Sequence, residues 1–255
     1  MPDNLKTQSA TTQSAQNSKR DELLLLINSL NPIITVETTE EERLEGLLRS
    51  ISVQLVVPLY TWSVTTGLAK LSGSPLYGTA EPEQALANIA LIVDDAIFLL
   101  KDFARYCDND RISRRLRDLA DQFRTARRSI VIAAAAIELP PELRGDSVTF
   151  QLGLPDANEL ALCVNQVLTE TSSEHRALMT LDAPAIAQLA QNLVGLTKDE
   201  ATRTLRRCLL ARGAADSALL DAVLDAKRAS LQAGPMKETP TGSPMTDPMG
   251  TVRCG

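Results

Sequence analysis

The sequence predicts an α/β protein: a three-layer parallel sheet of about five strands, followed by a small all-helical subdomain. Three observations lead there. Ala96-Ile97-Phe98-Leu99-Leu100 runs apolar without alternation and stops at the charged pair Lys101-Asp102. A stretch that is apolar on both strand faces fits a central parallel strand covered by helices on both sides. Strand-like and helix-like stretches then alternate from residue 33 to residue 152, as strand–helix–strand units do. Beyond Pro155 this alternation ends and only helical periodicity follows.

In chain order, residues 1–20 are polar and aperiodic and read as a disordered arm. A short amphipathic helix is predicted near Asp21 to Leu30, broken by Asn31-Pro32. Ile33 to Glu37, rich in β-branched residues, is the first strand. Thr38-Thr39 and the acids Glu40, Glu41 and Glu42 follow where a helix should begin. Thr39 and Glu42 have capping-box spacing, and acids suit a helix N-terminus. Leu44, Leu47, Leu48 and Ile51 give that helix its buried face.

Val56 to Thr65 is the second predicted strand and Leu68 to Glu81 a loop. Pro82 opens a helix carrying Ala85, Ile89 and Ile92 on its apolar stripe. The run ending at Lys101-Asp102 is the third strand. A helix from about Asp110 to Ala126 buries Ile112, Leu116, Leu119, Ala120 and Phe123, with Arg114–Asp118 and Arg117–Asp121 spaced i,i+4 on its other face. Ser129 to Ala136 is the fourth strand, and Val148 to Leu152, after a Pro140-Pro141 turn, the fifth.

Residues 21–155 therefore form the α/β domain and 156–231 the helical subdomain. Its helices are expected over Asp156 to Glu170, Leu181 to Val194, Thr197 to Arg212 and about Asp216 to Leu231, with a second capping box at Thr197–Glu200. Residues 232–255 turn to Pro, Gly, Thr, Ser and Met and read as a disordered tail.

The bulk properties exclude several functions. Lys plus Arg number 26 against 32 acids, a net charge of −6, which does not suit non-specific nucleic-acid binding. Four widely spaced cysteines and a single histidine, His175, give no zinc spacing and no metal site. No secretory signal and no membrane-length apolar run is visible, so a soluble, cytoplasmic protein is expected without a membrane partner. Nothing pairs a nucleophile with a base, and His175 reads as a surface residue. Trp62 reads as core or edge packing, and Cys254 as an incidental thiol.

Chemistry in such sheets gathers at the carboxyl ends of the strands, where Lys101-Asp102 stands. A nucleotide hydrolase would carry a magnesium-holding Asp there; here a Lys comes first. No G-x-x-x-x-G-K-[ST] occurs in the chain. Where a phosphate loop would leave the first strand stand Thr38, Thr39 and Glu40, followed by two more glutamates. A phosphate cradle needs glycines and a lysine, whereas adjacent carboxylates repel a triphosphate.

An α/β core followed by a helical lid resembles the AAA class of ATPases. Ile137 to Arg144, Val148 to Leu152 and Gly153 to Asp156 look like the segment those proteins carry between the sensor strand and the lid. Four stretches, namely Thr38 to Arg43, Trp62 to Gly67, Ile97 to Phe103 and Leu139 to Pro155, resemble one AAA family, known as hypothetical chloroplast reading frame forty-six, of plastids and cyanobacteria. The resemblance covers about residues 21–231 and corresponds to that family's amino-terminal half.

It implies a degenerate, nucleotide-free AAA fold, with Thr38, Thr39, Glu40, Lys101 and Asp102 at the altered phosphate and metal positions. No catalytic residue and no cofactor are then expected. Arg144 lies where such proteins place an arginine finger, though an exposed loop arginine is the simpler reading. Family members are full-length ATPases linked to inorganic-carbon use, which implies a regulatory or assembly role here. Two alternatives stand beside it: a truncated or frame-shifted fragment inert alone, and a cryptic ATP-binding enzyme. The final helix, with Leu220 and Leu224 beyond one apolar stripe, is expected to self-associate or to dock on a separate AAA ATPase module.

Overall fold

The computed structural model describes residues 19–175, 178–179, 181–212, 214–215 and 218–232. Most of the expected terminal arm and tail lies outside these residues, as does Cys254. Residues 19, 20 and 232, assigned to the arm and tail, are helical.

Helix α1 (residues 19–28) leads into β1 (Ile33–Glu37), α2 (Glu41–Leu55), β2 (Leu59–Ser63) and β3 (Gly67–Lys70). Then come α3 (Pro82–Leu91), β4 (Ala96–Lys101), a 3-10 turn over Phe103–Tyr106, and α4 (Asp110–Phe123). Strand β5 (Arg128–Ala134), one-turn α5 (Pro141–Arg144) and β6 (Ser147–Thr149) complete the core. The sheet order is β3-β2-β4-β5-β1-β6, parallel throughout except for the β2–β3 pair.

The apolar run at β4 does what its composition requires. Ile97 and Leu99 enter one core with Leu44, Leu48 and Ile51 of α2, while Phe98 and Leu100 enter a second with α3 and α4. Side chains alternate across a strand, so only a run apolar at every position can feed two cores. Phe98 stacks on Tyr60 at 5.4 Å and on Phe123 at 5.9 Å.

The lid is built from α6 (Ala157–His175), α7 (Ala183–Leu193), α8 (Lys198–Arg212) and α9 (Ala218–Gln232), with two-residue strands β7 (Leu178–Met179) and β8 (Ala214–Ala215) pairing in parallel. Leu160, Val164, Leu189, Leu193, Leu205 and Leu219 form its own core.

Several expectations need correction. The sheet has six strands rather than about five: the second strand ends at Ser63, and Gly67–Lys70, expected as loop, returns as antiparallel β3. The turn between them is made by hydroxyls, Ser63 Oγ lying 2.7 Å from Thr66 Oγ1, and Gly67 takes φ +73°. A four-residue strand between a Ser/Thr turn and a loop with Gly73 and Gly78 carries too little periodicity to be read. The Thr39–Glu42 capping box does not form; Glu40 holds the N-cap position of α2, and Thr38 Oγ1 accepts from the Glu40 amide at 2.9 Å. The Thr197–Glu200 box does form. Asp121 pairs with Arg124 rather than Arg117, and α6 runs past Glu170 to His175.

Val56 closes α2 in the left-handed region at φ 56°, with the Val57 amide donating back to the Ser52 carbonyl. Its side chain is almost fully exposed, so nothing offsets the strain of a β-branched residue there. Val56→Gly is therefore expected to stabilise the fold by about 1 kcal/mol, read as a higher denaturation midpoint.

Candidate functional site at the carboxyl edge and the core–lid joint

The carboxyl ends of β1, β4 and β5 lie side by side: Glu37 is in register with Ala134, and Lys101 with Ala133. The chains leaving β1 and β4 both fasten to β5. The Thr38 amide donates to the Ala134 carbonyl at 2.8 Å and the Asp102 amide to that of Ala133 at 2.7 Å. Only Thr38, Thr39 and Glu40 separate β1 from α2, too short a link to wrap a phosphate.

Lys101 Nζ lies 3.1 Å from Glu45 and 3.5 Å from Glu41, both on the first turns of α2. The cation thus stands on the strand and the anions on the helix, the reverse of a site that holds magnesium on the strand and phosphate on the helix. Burial opposes the charge of Lys101, but hydrogen bonds and attraction from Glu45, then Glu41, outweigh it and raise its pKa above the ordinary 10.5. A raised folded-state value means that this contribution is complete below pH 10.5 and is lost as pH rises through the folded value. Stability should therefore fall above pH 10.5. Glu45→Gln should flatten that fall in chemical denaturation run from pH 8 upward. Cys107, pushed up to about 12 by burial and by Asp108, adds a loss of the same sign beginning near 9, which Glu45→Gln leaves in place.

Asp102 sits in the left-handed region at φ 54°, and its carboxylate meets Arg105 at 3.7 Å on the surface. It borders a cleft of about 420 Å³ whose other walls include Ala134, Ala135, Ala136, Asp108 and Glu138. Three acids against Arg105 make this cleft unfavourable for a polyphosphate. Among the described residues no cluster of His, Cys, Asp and Glu could hold a metal.

Thr39 is exposed. Arg144 lies at the end of α5, where its Nε donates to the Leu139 carbonyl at 3.1 Å, beside a separate cavity lined by Thr35, Glu37 and Thr149. It is not brought to Lys101. On α9, Leu219 and Val223 are fully buried, while Leu220 and Leu224 are half-buried. Leu220 packs on the lid core.

The joint between core and lid is built mainly from residues that the sequence does not single out. Arg43, one turn into α2, donates to Glu159 of α6 through Nε at 3.1 Å and Nη2 at 2.8 Å. Its Nη1 donates to Glu40 at 3.1 Å and to the Gly153 carbonyl at 2.6 Å. The other oxygen of Glu40 accepts from the backbone amide of Lys198, the first residue of α8, at 2.6 Å. The side chains of Arg43, Glu40 and Glu159 are only 9%, 7% and 15% exposed. The i,i+3 spacing of Glu40 and Arg43 is legible in the sequence; Glu159 is 116 residues away and has no local signal.

A parallel sheet with β1 between β5 and β6, feeding a four-helix lid, defines an AAA-type domain. Residues 19–152 match the SpoVK-like AAA ATPase N-terminal domain, and residues 158–234 the second domain of the same proteins. The chain belongs to that family.

It is 26% identical over 211 residues to the "Uncharacterized AAA domain-containing protein ycf46" of Trieres chinensis, covering 82% of this chain and 41% of that one. The protein of the same name in Guillardia theta is 31% identical over 140 residues, covering 53% and 28%. The chain thus spans about two fifths or less of these relatives' length.

Solved structures show the same fold at low identity. The FIGL-1 AAA domain in complex with ADP superposes with a TM-score of 0.54 at 12% identity, covering 84% of this chain and 77% of that one. The E. coli HORMA:CdnC:Trip13 complex gives 0.52 at 10%, covering 89% and 93%. C. elegans PCH-2 gives 0.51 at 12%, covering 83% and 68%. Among the described residues no helix is long and apolar enough to cross a membrane.

Proposed function

We propose that this chain is a pseudo-ATPase: an AAA-type domain that acts in regulation or assembly and does not turn over nucleotide. One observation carries the reading. At the edge where phosphate and magnesium would be held, Lys101 on the strand is paired with Glu41 and Glu45 on the helix. Phosphoryl transfer works by positioning and by neutralising phosphate charge, and these carboxylates would oppose both. The alanines at the end of β5 and the acidic cleft beside them support the same reading.

The regulatory part rests on kinship with longer AAA proteins, including the resemblance to a family tied to inorganic-carbon use. Contact with a separate AAA module or with a second copy would run through α9, where Leu224 is half-buried and outside the lid's own core cluster. Calorimetry of the chain with Mg-ATP tests the central part. No binding heat is expected at millimolar nucleotide and no phosphate release; a micromolar dissociation constant overturns the proposal and favours a cryptic ATP-binding enzyme.

A further inference from the structure

We infer that one turn of α2 is an internal ligand for the lid: Glu40 and Arg43 hold the lid on the core, with no bound molecule, through an ionic joint that sets the lid's orientation. The two apolar cores of the sheet and the apolar core of the lid share no residue. Among the described residues, strands β1 to β6 and helices α2 to α5 make no extended contact with a lid helix. Between α2 and α6, and bordered by Arg20 of α1, lies an open crevice of about 410 Å³ whose walls include Gly46 and Leu162, the latter 69% exposed. Little apolar burial therefore ties the lid down at this seam.

Polar contacts bridge it instead. The Glu40 carboxylate sits on the N-terminal amide of α8, where the helix dipole favours an anion. Arg43 grips Glu159 with two parallel hydrogen bonds and also takes the Gly153 carbonyl in the linker. Glu159 in turn accepts from the Asp156 amide, and Asp156 Oδ1 caps α6 through the amides of Asn158 and Glu159 at 2.9 Å each. One cation thus fixes the linker and the first lid helix, while one anion fixes the third. The inference concerns the lid's attachment and stands whether or not the chain binds nucleotide.

Hydrogen–deuterium exchange of the full chain without nucleotide tests it. In Glu40→Ala the Lys198 amide should exchange about tenfold to a hundredfold faster, and in Glu159→Ala the amides of Asp156, Asn158 and residue 159 likewise. Protection in β4, β5 and the interior of α7 should stay unchanged. Glu40→Gln, which keeps an acceptor for Lys198, should restore most of the Lys198 protection. Unchanged exchange in both alanine variants would overturn the inference, since the lid would then be held by other contacts. Equal loss of protection in β4 and β5 would overturn it too, by making the joint part of one folding unit.

Discussion

Trp62→Ala is expected to cost about 3–5 kcal/mol of stability, the range for deleting a buried large aromatic. Trp62 is 1% exposed and packs edge-on against Phe103 at 4.9 Å and Tyr106 at 6.0 Å. It joins β2 to the turn that leaves β4. Its Nε1 also donates to the Thr79 carbonyl at 2.6 Å, which anchors the loop between β3 and α3. Thr79 is itself fully buried: its hydroxyl accepts from the Leu68 amide and donates to the Leu76 carbonyl. Trp62→Phe separates the two roles. It keeps most of the packing but leaves the Thr79 carbonyl without that donor, for a loss of about 1–3 kcal/mol. Circular dichroism with a denaturant reads both, and equal losses in the two variants would mean that the hydrogen bond, not the packing, dominates.

Arg43→Ala is the second large effect. Removing one partner of a buried, hydrogen-bonded ion pair typically costs about 3–5 kcal/mol, because the charges left behind have lost their water. Here Glu40 and Glu159 are both left, on opposite sides of the joint. Their mutual repulsion, no longer offset by the guanidinium, favours the lid swinging away, so the loss should appear as lid–core coupling rather than as unfolding of the sheet. The chain offers a direct probe, since Trp62 is its sole tryptophan and lies in the core. Tryptophan fluorescence follows the core alone, while ellipticity at 222 nm includes the lid helices. The two transitions should coincide in the wild type and separate in Arg43→Ala, with ellipticity falling first. Coincident transitions in the variant would show that Arg43 does not couple the two parts.

The sheet was legible wherever composition and geometry agree. Ala96 to Leu100 had to be central because nothing in it could face water, β5 is read by the same rule, and β1 by its β-branched residues. Glycine and proline punctuation marked the lid helices. Strand β3 was hidden because a four-residue strand starting at a left-handed glycine has no run to recognise. At the edge, Lys101 and the glutamates after β1 could be picked out, since charge at the end of an apolar strand is conspicuous. Their pairing could not be, because it depends on how far α2 reaches back over β4. Arg43 and Glu159 escaped for the same reason: the partners come from two domains and meet only once the linker at residues 153–156 has turned.

The denaturation midpoint of the whole chain, measured with and without millimolar Mg-ATP, tests the central claim most directly. Any ligand held by the folded state alone must stabilise it, by about 4 kcal/mol when present at a thousand times its dissociation constant. With Lys101 paired to Glu41 and Glu45 at the edge where phosphate would be held, no shift in midpoint is expected. A gain of several kcal/mol that depends on both magnesium and nucleotide would contradict it.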